Sequence, residues 1–338
     1  MAASERTDLF QHGYGALAGL AVADALGAST EGSDPATIRA THGRITGFLT
    51  DDPAGTDDTE YAMLTAQILL KYGKDVRPED VAREWTQTLI HQQEFQKGGF
   101  SEVCAVVNLR RGLSAPATGR YNYEMWSDGA AMRIAPVGVA CAGSPIEAAK
   151  LAAIDASVSH HRDGIYCAQA VAAAVAEAMV ADDSDAVIDA ALAAIPQDSW
   201  SFRAIQRAVA IGRRYSDPFE ALEELYQEAT IPYYVWADMA PEATALAFGL
   251  VASSRCQYVP SVLGAANLGR DADTIGAIAG AISGAFQGVQ AIPQEWLAKI
   301  DTVKGVCIHA TRGMRVSEIA RQLVSLAGRS WQKERGEG

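Results

Sequence analysis

The sequence predicts an all-α protein with little or no sheet, folded as one domain. Apolar residues recur at helical spacing along most of the 338 positions, and period-two alternation of β-branched and aromatic residues is nearly absent. Ala-rich runs such as 170–176 favour helix intrinsically. No change in composition marks a linker until the polar end of the chain, so the domain is drawn over residues 1–328 and a polar tail over 329–338.

The first helix is expected over Leu9–Ala28. Leu17, Leu20 and Val22 are apolar, while Gly15, Gly19, Ala23 and Gly27 fall four apart. The stretch 30–55 is rich in Gly, Pro, Asp and Thr and is long for a connector, a common property of functional loops. A helix then starts at Thr56-Asp57-Asp58-Thr59 and runs to about Tyr72. Further helices are expected at about Pro78–Gln92, Ser101–Leu113, Gly129–Ala142, Ser144–Ser157, Gly164–Ala181 and Ser184–Ala194. They continue at about Trp200–Arg214, Pro218–Glu228 and Pro241–Ser254, and the last is Val316–Leu326.

Between these last two lies the most unusual helix. It begins at Asp271-Ala272-Asp273-Thr274 and carries Gly276, Gly280, Gly284 and Gly288, again four apart. Each internal glycine costs a helix about 1 kcal/mol relative to alanine. Close approach of another backbone is the usual compensation, and two small-residue stripes facing each other would supply it.

Composition narrows the function. Hydrophobic residues make up 49% and charged residues 20%, which gives ample core material. The formal charge of −13 argues against nucleic acid or an anionic membrane as a partner. The five cysteines are scattered, without CxxC or zinc spacing, and suit buried thiols in a reducing, cytoplasmic compartment. The N-terminal residues lack the basic and apolar regions of a signal peptide. The most membrane-like segments are interrupted by Asp24 or preceded by Asp271 and Asp273, so no membrane span is expected.

Three acidic clusters can carry chemistry: Asp24 with Glu31, Thr56-Asp57-Asp58, and Asp271 with Asp273 and Thr274. Carboxylates and threonine hydroxyls without nearby Cys or His form an all-oxygen ligand set, suited to Mg²⁺ or Mn²⁺ rather than zinc or copper. Taken singly, the clusters also read as caps. Thr56 or Asp57 can be an N-cap, and Asp57 with Glu60 fits a capping box. Taken together they invite a cation, because gathered carboxylates repel and raise each other's pKa unless one neutralises them. The residues alone leave both readings open.

Four segments, in order, carry a resemblance: Gly15-Ala-Leu-Ala-Gly-Leu-Ala-Val-Ala-Asp24-Ala-Leu-Gly, Thr56-Asp-Asp-Thr, Gly129-Ala-Ala-Met-Arg-Ile-Ala-Pro136 and Gly269-Arg-Asp-Ala-Asp-Thr-Ile-Gly-Ala-Ile-Ala-Gly280. From about Leu9 to Leu326 the chain resembles the ADP-ribosylglycohydrolase family, whose founding members remove ADP-ribose from modified proteins. The resemblance implies a compact all-α fold with two Mg²⁺ or Mn²⁺ ions at the base of an acidic cleft. It implies an enzyme that hydrolyses an N- or O-glycosidic bond at C1′ of an ADP-ribosyl or ribosyl-type small molecule, or of an ADP-ribosylated protein. By that resemblance Thr56, Asp57 and Asp58 hold one ion, Asp271 and Thr274 the other, and Asp273 touches both. Glu31 activates water or positions the ribose, with Asp57 or Asp58 as alternative bases. Asp24 orients the metal ligands or caps its helix. Ser127, Asp128, Gly129 and Met132 belong to a loop around the substrate, and His160, in Ser159-His160, contacts ribose or leaving group.

The chain also departs from the family. Asp128-Gly129 stands where many members have Asn-Gly, and Asp128 would set like charge beside a diphosphate. The segment 93–101 lacks the acidic loop that some members use, and Glu102 is the candidate substitute. These departures favour a smaller nucleoside-like glycoside as the alternative substrate. A non-catalytic binding or structural protein on the same fold is a further alternative. The run Tyr233-Tyr234-Val235-Trp236 reads first as a buried aromatic connector and second as a surface that stacks on a base or aglycone. Arg133 pins the Gly129 segment or forms a structural salt bridge.

Overall fold

The structure, a computed structural model, describes residues 8–95 and 98–334. The expected lack of a signal peptide concerns a stretch whose first seven residues lie outside this range, as do residues 335–338 of the polar tail. The helices of the first half are α1 (Leu9–Gly27), α2 (Pro35–His42), α3 (Asp57–Tyr72), α4 (Pro78–Leu89), α5 (Phe100–Arg110), α6 (Ala117–Arg120), α7 (Gly129–Met132), α8 (Ala135–Ala140) and α9 (Pro145–Ala156). Those of the second half are α10 (Asp163–Ala178), α11 (Ser184–Ala193), α12 (Trp200–Gly212), α13 (Pro218–Ala229), α14 (Ala240–Ser254), α15 (Tyr258–Leu268), α16 (Ala272–Gln287), α17 (Gln294–Ile300) and α18 (Val316–Glu334). Among the described residues sheet is limited to two isolated bridges, Ser127 with Met239 and Thr302 with Arg315. The fold is all-α, and no described helix is long and apolar enough to cross a membrane.

Its centre is the antiparallel pair α1 and α16. A methyl group added at Gly15 would be driven into the Gly284 carbonyl, one at Gly19 into the Gly280 carbonyl, and one at Gly27 into Ala272; the converse clashes hold at Gly280 and Gly284. As residue numbers rise along α1 they fall along α16. The end of α1 therefore meets the start of α16, and the glycine cost is offset by main chain packing on main chain. The alanine-rich α10 packs on α8, α9, α14 and α16, and α14, buried along its whole length, packs on α12 and α16. These contacts cover α16, while α1 is covered by α18, α15, α3 and α8.

Several elements differ from expectation, each for a local reason. The predicted helix 129–142 is broken into α7 and α8. Pro136 has no N–H to give the Met132 carbonyl, and Arg133 Nη1 donates to the Gly129 carbonyl at 3.0 Å. The 30–55 stretch contains α2, begun by Asp34, whose side chain accepts from the N–H groups of Ala36 and Thr37, with Pro35 in the first turn. α15 was unexpected because Pro260 and Gly264 interrupt its pattern. Pro260 sits in the first turn, where its missing N–H costs nothing, and Tyr258 donates to the Gly19 carbonyl at 3.1 Å. α18 continues to Glu334 rather than ending near Leu326.

Candidate active site

The cleft floor is made where α1, α3 and α16 meet. Asp24, fully buried near the end of α1, accepts from the N–H of Thr56 at 2.8 Å and of Thr59 at 3.1 Å, and from the Thr59 hydroxyl at 2.5 Å. It caps α3 rather than its own helix. Thr56 therefore has no capping role for its hydroxyl, and Glu60 accepts from the N–H groups of Val306 and Ile308. The capping box expected from Asp57 and Glu60 does not form. With the helix start satisfied from below, Thr56, Asp57 and Asp58 turn to the cleft, and Asp57 accepts from the Gly99 N–H at 2.7 Å.

The opposing start of α16 brings Asp271, Asp273 and Thr274. Thr274 Oγ1 lies 3.4 Å from Asp58 Oδ1 and joins the two helix starts. Arg270, just before, takes a positive φ of 58° and donates from Nε to Glu242 at 2.6 Å. Glu31, exposed on the rim, offers a carboxylate oxygen that with oxygens of Asp271 and Asp273 falls within one 4.8 Å cluster. Thr56, Asp57, Asp58, Asp271, Asp273, Thr274 and Glu31 all line one cleft of about 350 Å³.

The side wall comes from α5 and the 127–132 segment. Ser127, Asp128, Gly129 and Met132 line the cleft as the sequence suggested, and Glu102 lines it with them. Glu102 is fully buried, held by the Arg133 guanidinium at 2.8 Å and the Ser101 hydroxyl at 2.6 Å. Arg133, also fully buried, reaches Asp155 at 3.0 Å and the Ser159 hydroxyl at 2.9 Å. Both expectations for Arg133 hold, since it pins the Gly129 carbonyl and forms a salt bridge. Glycine at 129 is required because a side chain there would strike the Glu102 carboxylate. His160 is the exception among the predicted residues. It stands behind Ser127, buried, its ring nitrogens 2.7 Å from Ser159 Oγ and 3.2 Å from Ser127 Oγ, and it does not line the cleft.

Two features of the mouth escaped the sequence reading. Asp238, half-buried, lines the cleft, because the Asp128 N–H donates to the Asp238 carbonyl at 3.0 Å and Ser127 pairs with Met239. The aromatic run is no buried connector: Tyr233 is 97% exposed and Trp236 55% exposed. Trp236 packs edge-on against Phe100, itself a cleft residue, with ring centroids 5.5 Å apart.

The electrostatics follow from crowding. Burial first, then the neighbouring carboxylates, hold Asp57, Asp58, Asp128 and Asp273 well above the usual aspartate range. Burial also pushes Asp24 and Asp238 up to about 6. Burial, with Arg133 nearby, holds His160 well below its ordinary value, so it is neutral. Among the described buried polar atoms, Thr56 Oγ1, Asp58 Oδ2, Asp128 Oδ2, Asp238 Oδ1 and Asp273 Oδ1 have no hydrogen-bond partner, although they line one cleft. Such orphaned oxygens are costly unless a ligand takes them. An all-oxygen set of this kind fits a hard divalent cation.

Comparison with known proteins agrees with this geometry. The chain is 32% identical over 287 residues to an uncharacterized protein of Archaeoglobus fulgidus, covering 82% of this chain and 88% of that one. It is 26% identical over 304 residues to the ADP-ribosyl-[dinitrogen reductase] glycohydrolase of Rhodospirillum rubrum, covering 85% and 89%. A solved structure described as an ADP-ribosylglycohydrolase-related protein complex superposes with a TM-score of 0.67 at 25% identity, over 95% of this chain and 99% of that one. The family model for ADP-ribosylglycohydrolases matches residues 5–333, and with helix starts, glycine stripes and acidic cleft in agreement, the chain belongs to the ADP-ribosylglycohydrolase family.

Proposed function

We propose that this protein is a divalent-metal-dependent glycohydrolase that cleaves the C1′ bond of an ADP-ribosyl or ribosyl-type substrate. The observation that carries the reading is the convergence of Thr56 Oγ1, Asp58 Oδ2 and Asp273 Oδ1, buried and without partners, on one cleft. Thr56, Asp57 and Asp58 would hold one Mg²⁺ or Mn²⁺ ion, Asp271 and Thr274 a second, and Asp273 would serve both. Such ions neutralise the gathered carboxylates and polarise the sugar hydroxyls that they hold.

The remaining work falls to the chain. Glu31 stands on the rim beside Asp271 and Asp273, open to solvent, and is the residue suited to accept a proton from the attacking water. Asp57 is already tied to the Gly99 N–H, and Asp58 is buried beside Thr274, so both suit holding better than proton transfer. The carboxylate wall stabilises the positive charge that develops on the sugar as C1′ departs from its substituent. The substrate is a small molecule or the modified side chain of a protein. The charge of −13 opposes nucleic acid and anionic membranes, and five free cysteines suit the cytoplasm.

Titration calorimetry with Mg²⁺ and Mn²⁺, followed by a hydrolysis panel of ADP-ribosyl-arginine, ADP-ribosyl-serine, O-acetyl-ADP-ribose and nucleosides, tests the reading. It expects metal binding that Asp273→Ala weakens at least tenfold, and metal-dependent release of a free sugar. Absent binding, equal binding by the variant, or no turnover of any compound would overturn it.

A further inference from the structure

We propose that Arg270 is a positioning residue that fixes Glu31 against Asp271, anchored through Glu242 to the main chain of the cleft mouth. The roles given to Glu31 and Asp271 rest on the glycohydrolase reading above; the placement of their main chain does not. Glu31 stands on a turn between α1 and α2. Thr30 ties the near side of that turn, its hydroxyl donating to the carbonyls of Gly27 at 3.1 Å and Ala266 at 2.9 Å. Residue 270 holds the far side. The Gly32 N–H donates to the Arg270 carbonyl at 2.7 Å, and the Arg270 N–H donates to the Ser33 carbonyl at 2.8 Å. Gly32 directly follows Glu31, and Asp271 directly follows Arg270. Two main-chain hydrogen bonds, each within two residues of both carboxylates, therefore set how Glu31 faces the start of α16. Oxygens of Glu31, Asp271 and Asp273 fall within 4.8 Å of one another there.

Arg270 makes both bonds from the left-handed backbone region, at φ 58°, which favours glycine. A side chain at such a position needs a compensation, and Glu242 supplies it. Arg270 Nε lies 2.6 Å from Glu242 Oε1, with the Glu242 side chain 1% exposed and that of Arg270 14% exposed. The second Glu242 oxygen accepts from the Ile231 N–H, at the head of the segment that carries Trp236 and Asp238 to the mouth. One buried ion pair thus joins the mouth, the Glu31 turn and the start of α16.

The pair is not arranged for greatest stability. Arg270 Nη2 is buried with no partner, which is costly. A disfavoured φ and an orphaned donor in one residue mark a conformation held for what it places. Neither Arg270 nor Glu242 lines the cleft, so neither touches substrate. Arg270 acts through the residues that its main chain grips. Placement matters because Glu31 is exposed on the rim, and a shift of about 1 Å at a reacting group can cost about 100-fold in rate.

The test uses the full chain and the variants Arg270→Gly and Glu242→Gln. Arg270→Gly removes the anchor yet suits the left-handed backbone, so any loss it shows comes from the missing side chain and not from strain. Hydrogen exchange of the metal-free protein reads the amides at positions 32 and 270, with α10 as the internal control. kcat and KM are measured with Mg²⁺ on a glycoside from the panel above that the wild type turns over. We expect each variant to exchange both amides at least about tenfold faster than the wild type, with α10 unchanged. kcat should fall on the order of 10- to 100-fold with little change in KM. A pair that only stabilises the fold would lower the Tm and leave kcat in place. Exchange as slow as in the wild type overturns the proposal, and so does faster exchange with wild-type kcat. If no compound is turned over, the glycohydrolase reading fails while exchange still decides the placement. Faster exchange in the variants then sustains it, and unchanged exchange ends it. The two variants are read independently, so one that fails to fold leaves the other to decide.

Discussion

Removing the divalent cation should make this fold progressively less stable as pH rises. In the metal-free protein, burial and mutual repulsion hold Asp57, Asp58, Asp128 and Asp273 well above the usual aspartate range, and Asp24 at about 6 instead of 3.8. At intermediate pH the folded state therefore keeps protons that the unfolded chain has released. The stability these groups contribute is complete below about pH 4 and is lost as pH rises through their folded values. For Asp24 alone, about two units at about 1.4 kcal/mol each amount to ~3 kcal/mol. A bound cation reverses the loss, because it favours the ionised carboxylates and binds better once they are deprotonated. Each ion present at a hundred times its Kd adds about 2.7 kcal/mol. At about 1–2 °C per kcal/mol for a chain of this size, two ions raise the Tm by about 5–11 °C.

The measurement is the difference between Tm in Mg²⁺ and Tm in EDTA, followed from pH 5 to 7.5. His160 titrates in the opposite sense: held neutral in the fold, it costs stability below its unfolded pKa. It contributes equally with and without metal, so it cancels in the difference. We expect the gap to be small at pH 5 and to widen toward 7.5, and Asp273→Asn to remove at least half of it. A gap that is flat, that shrinks with rising pH, or that survives intact in Asp273→Asn refutes the reasoning.

Gly19→Ala and Gly284→Ala should each destabilise the protein by about 1–2 kcal/mol in urea titrations, because overpacking against a carbonyl outweighs the helix-propensity gain. Gly276→Ala, whose nearest obstacle is the Ala23 carbonyl oxygen at 2.8 Å, should cost less. Arg133→Met should cost about 3–5 kcal/mol by the same measurement, since it leaves Glu102 and Asp155 buried and unpaired. Adding Glu102→Gln and Asp155→Asn should restore part of that loss. Tyr233→Ala, at a side chain 97% exposed, should leave stability within about 0.5 kcal/mol. Trp236→Ala should raise KM severalfold with little change in kcat, read from initial rates on a turned-over glycoside.

What the sequence revealed, and what it hid, follows from how each residue reaches the cleft. Thr56–Asp58 and Asp271–Thr274 were legible because each is a contiguous motif at a helix start, and the glycine stripes predicted which helices would touch. Glu31 was legible because it follows α1 directly. Asp238 was not, since a lone carboxylate in an aromatic run carries no signal until Ser127 and Asp128 pair with Met239 and Asp238 across more than a hundred residues. Phe100 was hidden for the same reason. His160 shows the converse: a motif-like histidine whose ring is taken up behind Ser127. Asp34-Pro35 is a helix start masked by the polar stretch around it, whereas α15 is a helix that its own proline and glycine disguise.

The contact of α1 with α16 through carbonyls and α-carbons has a consequence for how such a cleft could acquire new substrates. Side-chain repacking can lengthen or shorten an ordinary helix–helix gap, but here, apart from the Ala23 methyl, the glycines of one helix meet main-chain atoms of the other, which leaves little to be resized. The spacing between the two aspartate-bearing helix starts is thus insulated from most substitutions elsewhere in the core. The mouth is built the other way, from Phe100, Asp128, Trp236 and Asp238 on short helices and connecting loops. Mutation can therefore redraw what enters while leaving the acidic floor in register, so that, under the proposed function, recognition can drift independently of the chemistry beneath it.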